Sequence, residues 1–193
     1  MVLQFDYHRM KRKKGFSLVE LVVSISVIMF ISTIIFINFP KFKQVTAVDN
    51  AARELALAFR DAQSRAVAVS INAGGPRNNY GVYTTRVGAN KQVIIFSDIA
   101  PENKRYDAGV DIVIKTITLF GGARVESYAD AAVGNPNVLN VIYYRPDPTT
   151  EVSDGSGILY NQYGPFTINV LSQDSAERRK VIIWRTGQVS ITQ

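Results

Sequence analysis

Residues 11–39 read KRKKGFSLVELVVSISVIMFISTIIFINF, and this stretch decides how the chain is organised. Four basic residues and Gly15 precede the apolar run Phe16–Phe39, which carries a single charge, Glu20. A helix needs about 20 apolar residues to cross a bilayer, so this run is long enough to span a membrane. Because basic flanks stay in the cytoplasm, we expect residues 1–15 to be cytoplasmic and the C-terminal part to be extracytoplasmic.

Two simpler interpretations of the apolar run compete with a functional helix. A cleaved secretory signal has an apolar core of about 7–15 residues followed by small residues. Here the run is longer and ends in Asn38-Phe39-Pro40-Lys41, which disfavours a cleaved signal. An ordinary single-pass anchor is the stronger alternative, but it leaves Glu20 unexplained. An ionisable group inside a bilayer costs about 2.5–3.5 kcal/mol on insertion scales and usually marks function.

The net charge of +6 is concentrated in the first fifteen residues, where five basic side chains face one acid. The rest of the chain carries only +2, so the basic composition does not indicate a nucleic-acid partner. The chain contains no cysteine, which excludes disulfides and thiolate metal sites, and its single histidine is His8. We therefore expect neither a cofactor nor a resident metal.

The junction Lys13-Lys14-Gly15-Phe16-Ser17-Leu18-Val19-Glu20 resembles the processing site of the type IV prepilins. In that family a basic leader ends in Gly, and Phe and an apolar helix with Glu at its fifth position follow. The resemblance implies that a prepilin peptidase cuts between Gly15 and Phe16 and that Phe16 is then N-methylated. It also implies that Glu20 neutralises the N-terminal ammonium of a neighbouring subunit during assembly.

Elementary electrostatics supports that role for Glu20. The carboxylate lies in the first turn of the predicted helix, where the dipole favours an anion by about 0.3–1 kcal/mol. It is four residues from Phe16 and therefore on the same helical face. In a dry filament interior both charges are costly unless paired, so the pair can fix the register of a subunit. The alternative is a carboxylate that snorkels to the membrane interface.

The helical pattern continues beyond Pro40, where we expect a kink. Apolar residues recur there in steps of three and four: Val45, Val48, Ala52, Leu55, Phe59, Ala62, Ala66 and Val69. We predict one helix from Phe16 to Ile71, about 80 Å long at about 1.5 Å per residue. The sequence Asn72-Ala73-Gly74-Gly75-Pro76 should end it. We expect the amphipathic part to pack on a sheet; a coiled coil is the competing interpretation.

The remainder of the chain is typical of β structure, without a second long helical period. Turn signals separate eight candidate strands: Tyr80–Arg86, Gln92–Ser97, Asp111–Leu119, Leu139–Arg145, Ile158–Gln162, Phe166–Leu171, Val181–Thr186 and Gln188–Thr192. Residues 146–157 should form an exposed loop. The predicted class is α+β, a long helix packed on an antiparallel sheet or sandwich. The predicted organisation is a leader (1–15), a membrane and assembly helix (16–39), an amphipathic helix (40–72) and a β-rich head (73–193).

Two further motifs are similar to the GspH/FimT-type minor pseudopilins and pilins. They are Leu55-x-x-x-Phe59-Arg60-x-Ala62-Gln63-Ser64-x-Ala66 and Lys180-Val181-Ile182-Ile183…Gly187-x-Val189. Ile142-Tyr143-Tyr144-Arg145-Pro146 is a looser match, because Asp147 stands where that family usually has Gly.

This second resemblance implies a structural subunit near the tip of a type II secretion pseudopilus or a type IV pilus; a major pilin is an alternative. The implied location is the inner membrane and then the filament. The implied partners are other pilin or pseudopilin subunits, the prepilin peptidase and the inner-membrane assembly platform. The presence of Glu20 makes the chain less like the tip subunit that characteristically lacks it.

Catalysis and metal binding are competing functions that the sequence disfavours. The chain has no Gly-x-Ser-x-Gly elbow and no Cys–His pair, and Gly74-Gly75-Pro76-Arg77 lacks the ending of a phosphate-binding loop. We therefore expect no enzymatic activity. Asp147, Glu151 and Asp154 could offer oxygen ligands to calcium, but their spacing does not fit an EF-hand.

DNA binding is a second competing function, because FimT-like minor pilins can serve DNA uptake. Arg178, Arg179 and Lys180, with Arg185, could form a basic patch that contacts phosphates. The competing interpretation, which we favour, is a solvated hairpin turn, since Asp174 and Glu177 lie alongside.

Overall fold

The computed structural model describes residues 15–68, 78–86, 92–99, 102–129, 136–144, 149–157 and 164–193. These residues form one long helix, α1 (Leu18–Val67), nine strands and a short 3-10 turn at Phe120–Gly122. The strands are β1 (Asn79–Thr85), β2 (Gln92–Asp98), β3 (Ile112–Thr118), β4 (Arg124–Ala129), β5 (Val138–Tyr143), β6 (Thr150–Ser153), β7 (Phe166–Leu171), β8 (Arg178–Ile183) and β9 (Val189–Thr192). The chain divides into two compact units, Met1–Pro40 and Lys41–Gln193.

The second unit contains two antiparallel sheets. The five-stranded sheet has the order β3-β2-β1-β5-β6, and the four-stranded sheet has the order β4-β7-β8-β9. Every pairing in both sheets is antiparallel. Four of the seven pairings join strands that are connected by five or six residues, as expected where antiparallel strands follow one another along the chain.

Residues 41–67 of α1, the head half of the helix, pack against both sheets. Small and large apolar side chains of the head half join one core cluster with strands from each sheet. Phe59 is 0% exposed at the centre of this cluster. The sheets also contact each other, since the hydroxyls of Thr84 on β1 and Tyr128 on β4 are 2.8 Å apart in the buried interior.

One glycine allows the 3-10 turn to approach the head half closely. Gly121 has a positive φ of 63°, which a side chain rarely adopts, and a Cβ there would lie 2.5 Å from the Cβ of Ala47. The turn therefore needs a glycine for its backbone conformation and for space. The sequence Gly121-Gly122, interpreted as a turn signal, lies at this turn.

The α+β class and the packing of a long helix on antiparallel sheets are confirmed. Strand β7 has the predicted bounds, and the bounds of β1, β2, β3, β5 and β9 lie within two residues of theirs. The helix was expected to run from Phe16 to Ile71, but it begins two residues later, at Leu18, after the N-cap Ser17. Helical structure is described up to Val67, and Ile71 lies outside the described residues. Pro40 lies inside α1, and bending at this residue stays a prediction.

Two strands were not predicted. Strand β4 was missed because Arg124 and Glu126 are charged and because a register shift between Val125 and Ser127 interrupts its alternation. Strand β6 lies within residues 146–157, where an exposed loop was expected. That expectation is wrong for Thr150–Ser153, which pair with β5 and are largely buried.

Two other strand predictions have different outcomes. Strand β8 begins at Arg178, three residues before the predicted Val181, so residues 178–180 are strand and not turn. The turn between β7 and β8 lies at residues 172–177 instead. The predicted strand Ile158–Gln162 lies outside the described residues.

Candidate functional site

Helix α1 begins directly after the predicted cleavage site. Gly15 and Phe16 are non-helical, and Phe16 is 78% exposed. Ser17 is the N-cap, since its Oγ accepts a hydrogen bond from the Val19 N–H at 3.3 Å. Such a cap satisfies one of the backbone donors that a helix N-terminus leaves open. The bond between residues 15 and 16 therefore lies in exposed chain just outside the first helical turn.

Glu20 lies in the first turn of α1 and is exposed. With Ser17 as the N-cap, Glu20 occupies the third helical position, the place of the acid in a Ser-x-x-Glu capping box. The Ser-x-x-Glu spacing of Ser17 and Glu20 is visible in the sequence, but only the acid was considered above. The carboxylate thus sits at the positive end of the helix dipole, on the face that leads back to Phe16.

Residues 18–40 of α1, the apolar half of the helix, expose large apolar side chains in all directions. None of its most apolar 18-residue window is buried against the rest of the chain. Among the described residues, α1 is the one helix long and apolar enough to cross a membrane. A helix that is apolar all round requires a non-aqueous surrounding, either lipid or other apolar helices.

Polar side chains within the apolar half bond to its own backbone. Ser24, Ser26, Thr33 and Asn38 each donate to the carbonyl four residues earlier, at 2.7–2.9 Å. Each polar group thereby has a partner that does not depend on water. Such internal satisfaction lowers the cost of placing a helix in hydrocarbon.

The four basic residues considered for DNA contact are not brought together on one surface. Alternation along β8 places Arg179 on the inner face, where its Nε lies 2.6 Å from Asp49 Oδ1 and its side chain is 14% exposed. Arg178 and Lys180 lie on the opposite face, and Arg178 pairs with Glu126 at 3.1 Å. Arg185 follows the other end of β8, about 20 Å along an extended strand from Arg178.

The acidic residues considered for calcium have other partners. Asp147 lies outside the described residues. Glu151 accepts a hydrogen bond from the Tyr144 hydroxyl at 2.6 Å and pairs with Lys104 Nζ at 2.9 Å. Burial raises the pKa of Glu151, but the hydrogen bonds from Tyr144 and Lys104 outweigh it and lower the pKa below its ordinary value.

Asp154, the third acid of that loop, accepts the Ser156 N–H at 2.8 Å. In the part of the chain that the structure describes, no group of three His, Cys, Asp or Glu side chains is placed to hold a metal ion.

Comparison with known protein families matches residues 10–36 to the prokaryotic N-terminal methylation motif. No characterised protein and no solved structure matches the chain. The matched range includes the basic run, the Gly15–Phe16 junction, Glu20 and most of the apolar half. This match supports membership of a type IV pilin-like family, and the members of that family are structural subunits. The motif and the exposed apolar helix are consistent with a membrane-anchored pilin that a prepilin peptidase processes.

Proposed function

We propose that this chain is a minor pseudopilin or pilin subunit that assembles into a type II secretion pseudopilus or a type IV pilus, near its tip. The observation that carries the proposal is the arrangement at the start of α1. An exposed Gly15–Phe16 junction, a capped first turn with Glu20 and an unburied apolar helix follow one another directly along the chain. We infer a structural and not a catalytic role.

Processing would create the charge that Glu20 pairs with. Hydrolysis between Gly15 and Phe16 turns the amide nitrogen of Phe16 into a terminal ammonium, and methylation of that nitrogen retains its positive charge. Within one subunit the ammonium adds to the positive end of the helix dipole. A carboxylate from an adjacent copy can offset both.

The same pair can set the register of the assembly. The apolar halves of neighbouring copies supply the non-aqueous surrounding that the exposed side chains require, and in that surrounding a lone carboxylate or ammonium is costly. A subunit displaced along the bundle leaves both charges unpaired. The correct register is therefore the one that brings Glu20 to the terminal nitrogen of its neighbour.

The minor subtype rests on the head half and on the last hairpin of the chain. The buried residues Leu55, Phe59, Ala62 and Ala66 are those of the GspH/FimT-like helix motif, and their burial explains its spacing. The motif around Lys180–Val189 corresponds to the β8–β9 hairpin. Since Glu20 is present, the subunit can pair with a neighbour's N-terminus, which suits a place near the tip and not the outermost position.

Processing is tested by expressing the full chain with and without a prepilin peptidase and measuring the intact mass and N-terminal sequence. The expected product begins at methylated Phe16. Gly15→Val should block cleavage because a side chain replaces the glycine at the cut, whereas Ser17→Ala should still be processed. A working assembly whose subunits retain residues 1–15 would overturn the proposal.

Assembly is tested separately with Glu20→Gln, which keeps the size of the side chain and one acceptor oxygen but removes its charge. We expect normal cleavage and a loss of most of the chain from the sheared filament fraction. The matched control is Ser24→Ala, one turn further along α1, which should assemble. If Glu20→Gln enters filaments as the unaltered chain does, the pairing role is wrong even if the subunit role stands.

A further inference from the structure

Residues 102–111 form a strap over the outer face of the five-stranded sheet, the face turned away from α1. The Tyr106 ring lies 5.2 Å from the Tyr83 ring and 5.3 Å from the Phe96 ring, measured between centroids. Its backbone N–H donates to Asn140 Oδ1 at 3.0 Å. Phe96 is completely buried, although it lies on the outer face. The strap therefore covers an aromatic surface that the sheet alone would expose.

Glycine at position 81 contributes to that surface. Gly81 pairs with Phe96 and Ile142 on the neighbouring strands, and a Cβ at this position would meet their side chains at 2.5–2.6 Å. The missing side chain leaves space for the Phe96 ring beside β1, within reach of the strap.

Two carboxylates at the base of the strap hold its backbone. Asp98, at the end of β2, accepts the Lys104 N–H at 3.3 Å through Oδ2. Asp111, just before β3, accepts the N–H groups of Ile99 and Asp107 at 3.1 and 2.7 Å. Lys104 has a positive φ of 65°, a conformation that costs free energy in a non-glycine residue and needs such contacts to persist.

The environment of Asp98 is unfavourable to its charge. The residue is 1% exposed, and its Oδ1 is buried without a hydrogen-bond partner among the described residues. Burial and the neighbouring carboxylates of Asp111 and Glu102 raise the pKa of Asp98 to about 6, although the backbone N–H groups of Lys104 and Asn103 oppose this.

Both basic side chains of the strap pair with carboxylates other than Asp98, and Arg105 Nε lies 3.1 Å from Asp107 Oδ1. The ammonium of Lys104, on the strap, points to Glu151 on β6. At the end of β5, Tyr144 is a neutral phenol, whose pKa burial and Glu151 raise above its ordinary value. The charges that raise the pKa of Asp98 are those of the two neighbouring carboxylates.

We propose that the strap is a proton-operated clasp, which holds the outer face of the sheet when Asp98 is protonated and loosens when Asp98 is ionised. Loosening uncovers Tyr83 and Phe96 and thereby creates an aromatic surface on the head. The clasp does not depend on the proposed filament role. It concerns residues far from Glu20 in sequence and is tested on them alone.

The direction of the pH dependence follows from proton linkage. The pKa of Asp98 is higher in the closed strap, about 6, than in open chain, 3.8, so the closed strap binds the proton more tightly. The contribution of protonated Asp98 is complete below about pH 3.8 and is lost as pH rises through about 6. Glu151 acts in the opposite direction, because its lowered pKa makes its pair with Lys104 fail only as pH falls below 4.5. A window from about pH 5 to about pH 7.5 therefore isolates Asp98.

The test is amide hydrogen exchange of the full chain in detergent micelles at about pH 5 and about pH 7.5, corrected for intrinsic rates. The peptide that contains the Tyr106 amide should be about tenfold more protected at the lower pH. Asp98→Asn, which resembles the neutral acid, should give similar protection at both values. Asp174→Asn, in the exposed turn between β7 and β8, is the matched control and should retain the tenfold difference.

Two outcomes would overturn the clasp. One is equal protection of this peptide at both pH values in the unaltered chain, and the other is an unchanged tenfold difference in Asp98→Asn.

If Asp98→Asn does not fold, Glu102→Gln provides a second test. It removes one negative charge near Asp98 and keeps an oxygen for the hydrogen bond from Asn79. The midpoint of strap loosening should then move to lower pH, because the loss of a neighbouring negative charge lowers the pKa of Asp98 in the closed strap. A midpoint that stays in place or rises contradicts the proposal.

Discussion

The two halves of α1 differ in what completes their apolar surface. In the apolar half the large side chains are exposed, and Phe36 is 76% exposed. In the head half one face of the helix is buried against two sheets, and this face consists mostly of alanines, with Val48, Leu55 and Phe59. One helix thus carries a surface that the protein's own head covers and a surface that lipid or other subunits must cover. Substitutions in the two halves should therefore affect different measurements.

The largest expected contrast is between two phenylalanines of the same helix. Phe59→Ala leaves a cavity in the core and should lower the free energy of unfolding of the head by about 3–5 kcal/mol. Phe36→Ala should change it by less than about 0.5 kcal/mol, because the Phe36 side chain is largely exposed. Urea unfolding of the full chain in detergent micelles, followed by Trp184 fluorescence, measures both. Equal losses would mean that the halves do not differ as described.

The sequence predicted this division because each half carries its own pattern. An apolar run with one charge is readable from composition. Six residues of the predicted stripe are buried as expected, Val45 is half-buried, and Val69 lies outside the described residues. The stripe is wider than predicted, since Ala47, Ala51, Ala56 and Ala58 are buried too. Sheets on two sides of the head half account for these additional alanines, and their arrangement depends on strand order, which periodicity does not encode.

The strap and the role of Arg179 could not be predicted for a related reason. Asp98 and Asp111 flank the irregular connection between β2 and β3, and Asn140 reaches this connection only through the pairing of β5 with β1, two strands that are distant in sequence. Arg179 appeared as part of a basic run, and only the register of β8 turns it inward to Asp49. The start of α1 is different, because its cleavage and assembly residues are neighbours in sequence. Their function stays a prediction.

A second contrast concerns the close contact between the 3-10 turn and the head half. Gly121→Ala forces a Cβ to 2.5 Å from the Ala47 Cβ and strains the backbone at positive φ. We expect a loss of about 1–3 kcal/mol in the same unfolding experiment. Gly164→Ala is the matched control, since a Cβ there meets nothing within 4 Å. A neutral Gly121→Ala would show that the 3-10 turn can move away from the helix without cost.

A third contrast uses the ion pair that fastens the head half to β8. Arg179→Ala and Asp49→Ala should each lower the free energy of unfolding of the head. Because the pair is partly buried, we expect a coupling of about 1–2 kcal/mol in a double-mutant cycle.

A gel shift at low salt tests the competing role of Arg179, a contact with DNA phosphates. We expect Arg179→Ala to leave DNA retardation unchanged, whereas a marked loss would favour a phosphate contact.

The smallest expected effect comes from the exposed pair at the end of the head half. Arg65 Nε lies 2.9 Å from Asp61 Oδ1, four residues earlier, and both side chains are more than a third exposed. Arg65→Ala should cost only about 0.3–0.5 kcal/mol, and added salt should diminish that cost because solvent screens the pair. The same urea titration at low and high salt measures it. If Arg65→Ala lowered the free energy of unfolding as much as Arg179→Ala, exposure would not explain the difference between the two ion pairs. Charge, and not the buried alanine face, would then be the main contribution to the packing of the head half.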